Sequence, residues 1–164
     1  MIIFGFSNQK KTVGIFRCFT VTALVVMVIF TVAIVMRGER MTAEYNGNVY
    51  SVKAETENDI LRFAGFFGLD VEDKPLSVKN IIIPAEFNDV YSAYNDIQKL
   101  SGLDLVNYKG CLCRLYTYRI SGSQELVHIL VYGNRIIGGD VCDEKFGSRM
   151  YSFSEKKTDV HDVL

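Results

Sequence analysis

The 164 residues hold no proline-rich or serine-rich tract, no internal repeat and no dense run of basic residues; proline occurs only twice. A chain without repeats or linker-like tracts reads as one domain rather than an array. The lack of concentrated positive charge excludes nucleic acid as a partner, because phosphate backbones demand it. Three chemical signatures are missing as well. No Cys-x-x-Cys lies beside a helix start, which argues against a redox dithiol. No nucleophile-elbow sequence is present for a hydrolytic triad. Gly133-x-x-x-x-Gly138-Gly139-Asp140 lacks the lysine and the following helix that a phosphate loop needs, so Gly138-Gly139 reads as a bulge or a close backbone approach.

Charge is absent from one further place, and that absence is informative. Between Arg17 and Arg37 lie nineteen residues, Cys18 to Met36, without a formal charge. As a helix the run is about 28 Å long, close to the hydrocarbon thickness of a bilayer. A cleaved signal peptide would have a shorter apolar core and a small-residue cleavage site. Here Arg37-Gly38-Glu39-Arg40 follows at once, and Met41-Thr42-Ala43 is a poor cleavage sequence. A lipoprotein is excluded by Arg17 before Cys18. The run is therefore expected to be an uncleaved transmembrane helix that contacts membrane lipid. Lys10, Lys11 and Arg17 before it, against Arg37 and Arg40 after it, favour a cytoplasmic N-terminus and an extracytoplasmic C-terminal domain. All 19 acidic and 15 of the 18 basic residues follow Met36, leaving that portion near −4 and the stub at +3.

The remaining 128 residues suffice for one core. Residues 37–55 read as a stalk, with an extended stretch at Val49 to Val52. Thr56 is an N-cap with Asp59 three residues on, and Ile60, Leu61, Phe63, Ala64 and Phe67 follow at helical spacing up to Gly68. Val78 to Ile83 is a β-branched strand stopped by Pro84. A second helix runs from Glu86 to Ser101, with Phe87, Val90, Tyr91, Tyr94 and Ile97 as its apolar stripe and Gly102 at its end. Three strands come next: Cys111 to Ile120, Leu126 to Tyr132, and Arg135 to Cys142 beyond a Gly133-Asn134 turn. The order predicts a compact two-layer α+β domain, two helices on one face of a mainly antiparallel sheet. Leu112, Ile129, Val131 and Ile137 are expected to face those helices. The predicted organisation is a stub over 1–17, a membrane helix over 18–36, the stalk over 37–55, the α+β domain over 56–153 and a flexible tail over 154–164.

Four stretches carry a resemblance: TENDILRFAGFFGLDV, the run from Ile81 to Gly110, RLYTYRI, and LVYGNRIIGGDVCD. Their order and spacing over residues 56–153 resemble the bacterial family catalogued as domain of unknown function 4830. The most specific parts are Ile-Pro-x-x-Phe-x-x-Val-Tyr-x-x-Tyr-Asn (Ile83 to Asn95) and Ile-Gly-Gly-Asp-Val-Cys (Ile137 to Cys142). The chain departs from that pattern at Leu69, where a Gly-Trp pair is common, and over Phe146 to Met150. The resemblance implies a single-span bacterial protein with a small external domain and carries no activity to transfer.

No residue is assigned a catalytic, cofactor-binding or metal-binding role on the sequence. Cys111 and Cys113 flank one strand residue, and one disulfide between Cys142 and either partner is conceivable. A third external cysteine would then stay odd, and core thiols are the favoured account of the set. A metal site on Cys111, Cys113 and His128 lacks a second close ligand pair. His128 alternates with apolar neighbours and reads as a packing residue, and Asp140 with Asp143 and Glu144 as an exposed rim. Tyr91, Tyr94, Tyr116, Tyr118 and Asp140 make the candidate interaction surface, against the plain reading that the tyrosines pack the helix–sheet layer. Two functions follow. One is a noncatalytic module that binds an envelope protein or peptide. The other is a small envelope enzyme or thiol-redox protein using Cys111, Cys113 and Cys142 with His128.

Overall fold

The computed structural model describes residues 21–34, 41–145 and 147–155, and the chain divides into a unit over Met1–Arg40 and a unit over Met41–Leu164. In the first, residues 21–34 are helical (α1) and every one of them is exposed. Thr31 adds no polar face, because its hydroxyl donates to the Val28 carbonyl at 2.8 Å within the helix. Among the described residues no helix is long and apolar enough to cross a membrane. The expected span over 18–36 extends past α1 at both ends, and 18–20, 35–36 and the stub over 1–17 lie outside the described residues.

The second unit begins earlier than the sequence reading placed it. Thr42–Tyr45 (β1) and Asn48–Ser51 (β2) form an antiparallel hairpin. Asn46 at φ 49° and Gly47 at φ 75° supply the two positive φ angles that a tight two-residue turn requires. Tyr50, Val52 and Ala54 are buried in the main core, so residues 41–55 are part of the domain and not a stalk. The apolar positions alternate, Tyr50-x-Val52-x-Ala54, and a strand buries such a set on one face.

Helix α2, Glu57–Phe66, starts as predicted. The Asp59 amide donates to Thr56 Oγ1 at 3.2 Å and the Thr56 amide donates to Asp59 Oδ2 at 2.9 Å, a complete capping box. Its C-cap is Phe67, and Gly68 just beyond, with a φ of +73°, lets the chain reverse. Strand β3 (Ser77–Ile82) leads to α3 (Asp89–Lys99), which begins later than expected because the Asn88 side chain accepts the Tyr91 amide as its N-cap. A 3-10 turn over Val106–Tyr108 precedes β4 (Leu112–Arg119), β5 (Glu125–Tyr132) and β6 (Arg135–Asp143). These four strands form an antiparallel sheet in the order β3-β4-β5-β6.

The fold is α+β with helices packed on antiparallel sheets, but the layers differ from expectation. Alternate residues of the sheet belong to two separate apolar clusters. Tyr118, Val127, Ile129 and Val131 pack with Ile60, Phe63 and Phe67 of the α2 region. Cys113, Leu115 and Leu130 point the other way and pack with Phe87, Tyr91 and Tyr94 of the α3 region. Each helix therefore takes its own face, giving three layers where the sequence suggested two. The apolar content of both strand faces is the physical reason: β5 reads Leu126-Val127-His128-Ile129-Leu130-Val131, too continuous to leave one side wet. Ile129, Val131 and Ile137 are buried as expected, but Leu112, which points away from the α3-side cluster that takes Cys113, is 61% exposed.

The C-terminal segment also belongs to the body. Tyr151 bridges to Val141, and Phe153 is buried against Phe63 and Phe67. Ser154, assigned by sequence to a tail, is buried and donates to the Leu100 carbonyl at 3.1 Å. Residues 156–164 lie outside the described residues.

Candidate functional site

Polar groups gather on the α3 face of the sheet, and a single irregularity puts them there. Tyr132 pairs with Arg135 and Val131 with Ile136, the register of a two-residue hairpin. Continued unbroken, that register would set His128 opposite Gly139. A bulge between Leu130 and Val131 shifts it by one, so that Leu130 faces Gly138 and His128 faces Asp140. Because side chains alternate, the same shift turns Asp140 and Cys142 onto the face that carries His128. Of the expected bulge or close approach at Gly138-Gly139, the close approach holds, and the bulge falls one residue earlier, at Ile137 between Ile136 and Gly138. A Cβ on Gly138 would sit 2.9 Å from Gln98 Oε1, and one on Gly139 would sit 2.0 Å from the His128 carbonyl oxygen.

Helix α3 is pinned onto this surface by a buried amide. The Gly139 backbone amide donates to Gln98 Oε1 at 2.7 Å, and Gln98 Nε2 donates to the Tyr94 carbonyl at 3.1 Å. Tyr94 lies one turn before Gln98, so its ring lands over β6. Its hydroxyl donates to Asp140 Oδ2 at 2.8 Å, while His128 Nδ1 stands 3.0 Å from Asp140 Oδ1. A carboxylate only accepts, so His128 presents Nδ1–H to it. Cys142 Sγ is 3.8 Å from the same nitrogen. One donor atom each from His128, Asp140 and Cys142 falls within 4.8 Å of the others, the one such group of metal-ligating side chains among the described residues.

Burial sets the electrostatics. Asp140 is 3% exposed and, among the described residues, pairs with no lysine or arginine. Desolvation pushes the Cys142 thiol up to about 11, with the neighbouring Asp140 carboxylate reinforcing it. Desolvation and Asp140 likewise raise the Tyr94 phenol well above its ordinary value. Around neutral pH the thiol and the phenol are thus protonated and act as hydrogen-bond donors to Asp140.

Next to this polar end runs an open groove of about 370 Å³ between α3 and the sheet. Ile81, Leu115 and Leu130 form its floor and Val90, Tyr91 and Met150 its rim, with Tyr94, His128 and Asp140 at the polar end. Val90 is 78% exposed, an apolar side chain held in water at the groove's lip.

The structure separates the residues that sequence reasoning grouped. Tyr91, Tyr94 and Asp140 meet at the groove, but Tyr116 and Tyr118 lie on the opposite face, and Tyr118 is fully buried. Asp140 is an interior carboxylate and not part of an exposed rim with Asp143 and Glu144. His128 does more than pack, and its link to Asp140 and Cys142 depends on a bulge position that composition does not disclose. Cys111, Cys113 and Cys142 are free thiols. Cys142 shares a row with Leu126 and Arg119, whereas Cys113 lies two strands over and six residues along β4. At about 3.4 Å per residue that is roughly 20 Å along the strand. A disulfide tolerates a Cα separation of about 7 Å at most. The disulfide between Cys142 and Cys111 or Cys113 does not form, and the three thiols do not converge with His128 as a redox site.

Compared with family models, curated proteins and solved structures, the chain matches none.

Proposed function

We propose that this chain is a noncatalytic binding module of a bacterial cell envelope, tethered through residues 18–36 with its N-terminus cytoplasmic and its α+β domain extracytoplasmic. The groove beside α3 is the binding surface, and its occupant is an apolar segment of an envelope protein or peptide. The observation that carries this reading is the groove itself: apolar floor and rim, exposed Val90 and Met150, and a few convergent polar groups at one end. Binding sites are concave and mostly apolar, with a small number of placed polar groups. The tether is supported by the uncharged run from Cys18 to Met36. The motif resemblance over residues 56–153 points to the same architecture. A thiol enzyme is the weaker reading, since burial holds both Cys113 and Cys142 above the ordinary thiol range.

A photo-crosslinking residue placed at Val90 of the full chain, in membranes of the producing cell, tests the groove. A discrete adduct is expected, and Leu115→Glu should lower its yield by at least about tenfold by putting a carboxylate on the apolar floor. Labelling at Val90 no stronger than at the exposed Val49, or an adduct indifferent to Leu115→Glu, overturns the proposal.

A further inference from the structure

The geometry points to a zinc-type divalent metal site formed by His128 Nδ1, a carboxylate oxygen of Asp140 and Cys142 Sγ. This goes beyond the binding reading and does not depend on what occupies the groove.

Three chemically different donors converge from adjacent strands. His128 Nδ1 and Asp140 Oδ1 are 3.0 Å apart, and His128 Nδ1 and Cys142 Sγ are 3.8 Å apart. Ligands about 2.0–2.3 Å from a tetrahedral zinc ion stand roughly 3.3 Å apart for an N/O pair and roughly 3.6 Å for an N/S pair. Both pairs that include His128 match those separations to within a few tenths of an ångström, and all three donor atoms lie within 4.8 Å of one another. Its donor set selects the ion. Thiolate and imidazole favour zinc and its neighbours and disfavour magnesium and calcium, which take oxygen ligands.

The surroundings point the same way. Asp140 is a buried carboxylate whose one ion-pair partner among the described residues is the His128 ring, cationic only when protonated, and an interior charge is costly without full compensation. A divalent ion supplies that compensation directly. Tyr94 donates to the second Asp140 oxygen, the kind of hydrogen bond that orients a ligating carboxylate. The ligands are also rigidly mounted, His128 opposite Asp140 and Leu126 opposite Cys142 in one antiparallel ladder. Three protein ligands leave a fourth position open, as at sites where zinc also holds water or an incoming donor. Since His128 and Asp140 line the groove, that position lies at its polar end.

Cobalt(II) is the probe of choice because tetrahedral thiolate ligation colours it. Full-length chain, reduced and kept in detergent, is titrated with Co²⁺ and then with Zn²⁺. One Co²⁺ per chain is expected, with visible bands of tetrahedral intensity and a near-ultraviolet sulfur-to-cobalt band that zinc abolishes. Cys142→Ser should remove the sulfur band, and Asp140→Asn and His128→Asn should each weaken binding at least about tenfold. His161→Asn and Cys113→Ser should leave the spectrum and affinity unchanged. Should the site variants misfold, thermal melting of the unmodified chain decides: micromolar Zn²⁺ raises the midpoint and a chelator reverses it. No tetrahedral spectrum, a sulfur band that persists in Cys142→Ser, or a melting point indifferent to zinc overturns the proposal and leaves the trio as a hydrogen-bonded cluster.

Discussion

Gly139 meets two demands that a side chain cannot. Its φ is +153°, and an added Cβ would lie 2.0 Å from the His128 carbonyl oxygen and 2.6 Å from the Phe153 ring. The first contact is to ladder backbone, which has nowhere to go without breaking the β5–β6 pairing. Gly139→Ala is therefore expected to cost about 3 kcal/mol, the upper range for overpacking a tight interior. Gly138→Ala should cost less than half as much, because its nearest neighbours are the side-chain ends of Gln98 and Leu105, at 2.9 and 3.0 Å. Urea denaturation followed by circular dichroism measures both, and equal midpoints for the two variants would refute the distinction. The neighbouring Asp140 shows what could not be read at this scale. In sequence it is one of three acids near a strand end, the others being Asp143 and Glu144. Only the register separates the buried one from the exposed ones, and register here turns on one bulge. Tyr94 likewise belongs to a helical apolar stripe, and nothing in that stripe announces that its hydroxyl meets Asp140.

At the scale of elements, periodicity and caps were legible and layer assignment was not. The box at Thr56 and Asp59, the stop at Gly68 and the three strands after Gly110 follow from local chemistry, because each is decided by neighbours within a few residues. Asn46-Gly47 is an equally local signal, the strongest short-range mark of a hairpin, and reading it would have converted the stalk into β1 and β2. Which face each helix covers is a nonlocal outcome, set by how much apolar surface both sides of the sheet carry. Helix α1 is the element whose solvent matters most. Val28 lies in the middle of the uncharged run and is 58% exposed. If lipid surrounds it, Val28→Arg sets a charge near mid-bilayer at a cost of about 3 kcal/mol on insertion scales. The variant should be lost from the alkali-resistant membrane pellet in fractionation, whereas Val49→Arg, on the β1–β2 hairpin, should stay with it. Retention of Val28→Arg in the pellet would tell against the placement of the span.

The whole molecule carries an alkaline limit to its stability, built into the α2 side of the core. Tyr118 is fully buried, its hydroxyl has no hydrogen-bond partner among the described residues, and desolvation raises the phenol to about 12. Tyr50 is raised as well, chiefly by burial, although its hydroxyl donates to the Ser101 carbonyl. Both groups are neutral in the folded chain and lose their protons more easily once unfolded, where an ordinary phenol titrates near 10. A folded-state pKa above the unfolded one means stability present in full below pH 10 and lost as the pH rises through about 12. Tyr118→Phe separates the two contributions of that hydroxyl. Removing an unsatisfied buried oxygen should raise stability at pH 7 by about 1 kcal/mol, and removing its proton should flatten the fall between pH 10 and pH 12. Tyr50→Phe should flatten the same fall but lower stability at pH 7 by about 1 kcal/mol, since its hydrogen bond goes with it. Denaturation midpoints across that pH range measure the pair, and a Tyr118→Phe chain less stable than the parent at pH 7 would show that the hydroxyl finds a partner in solution.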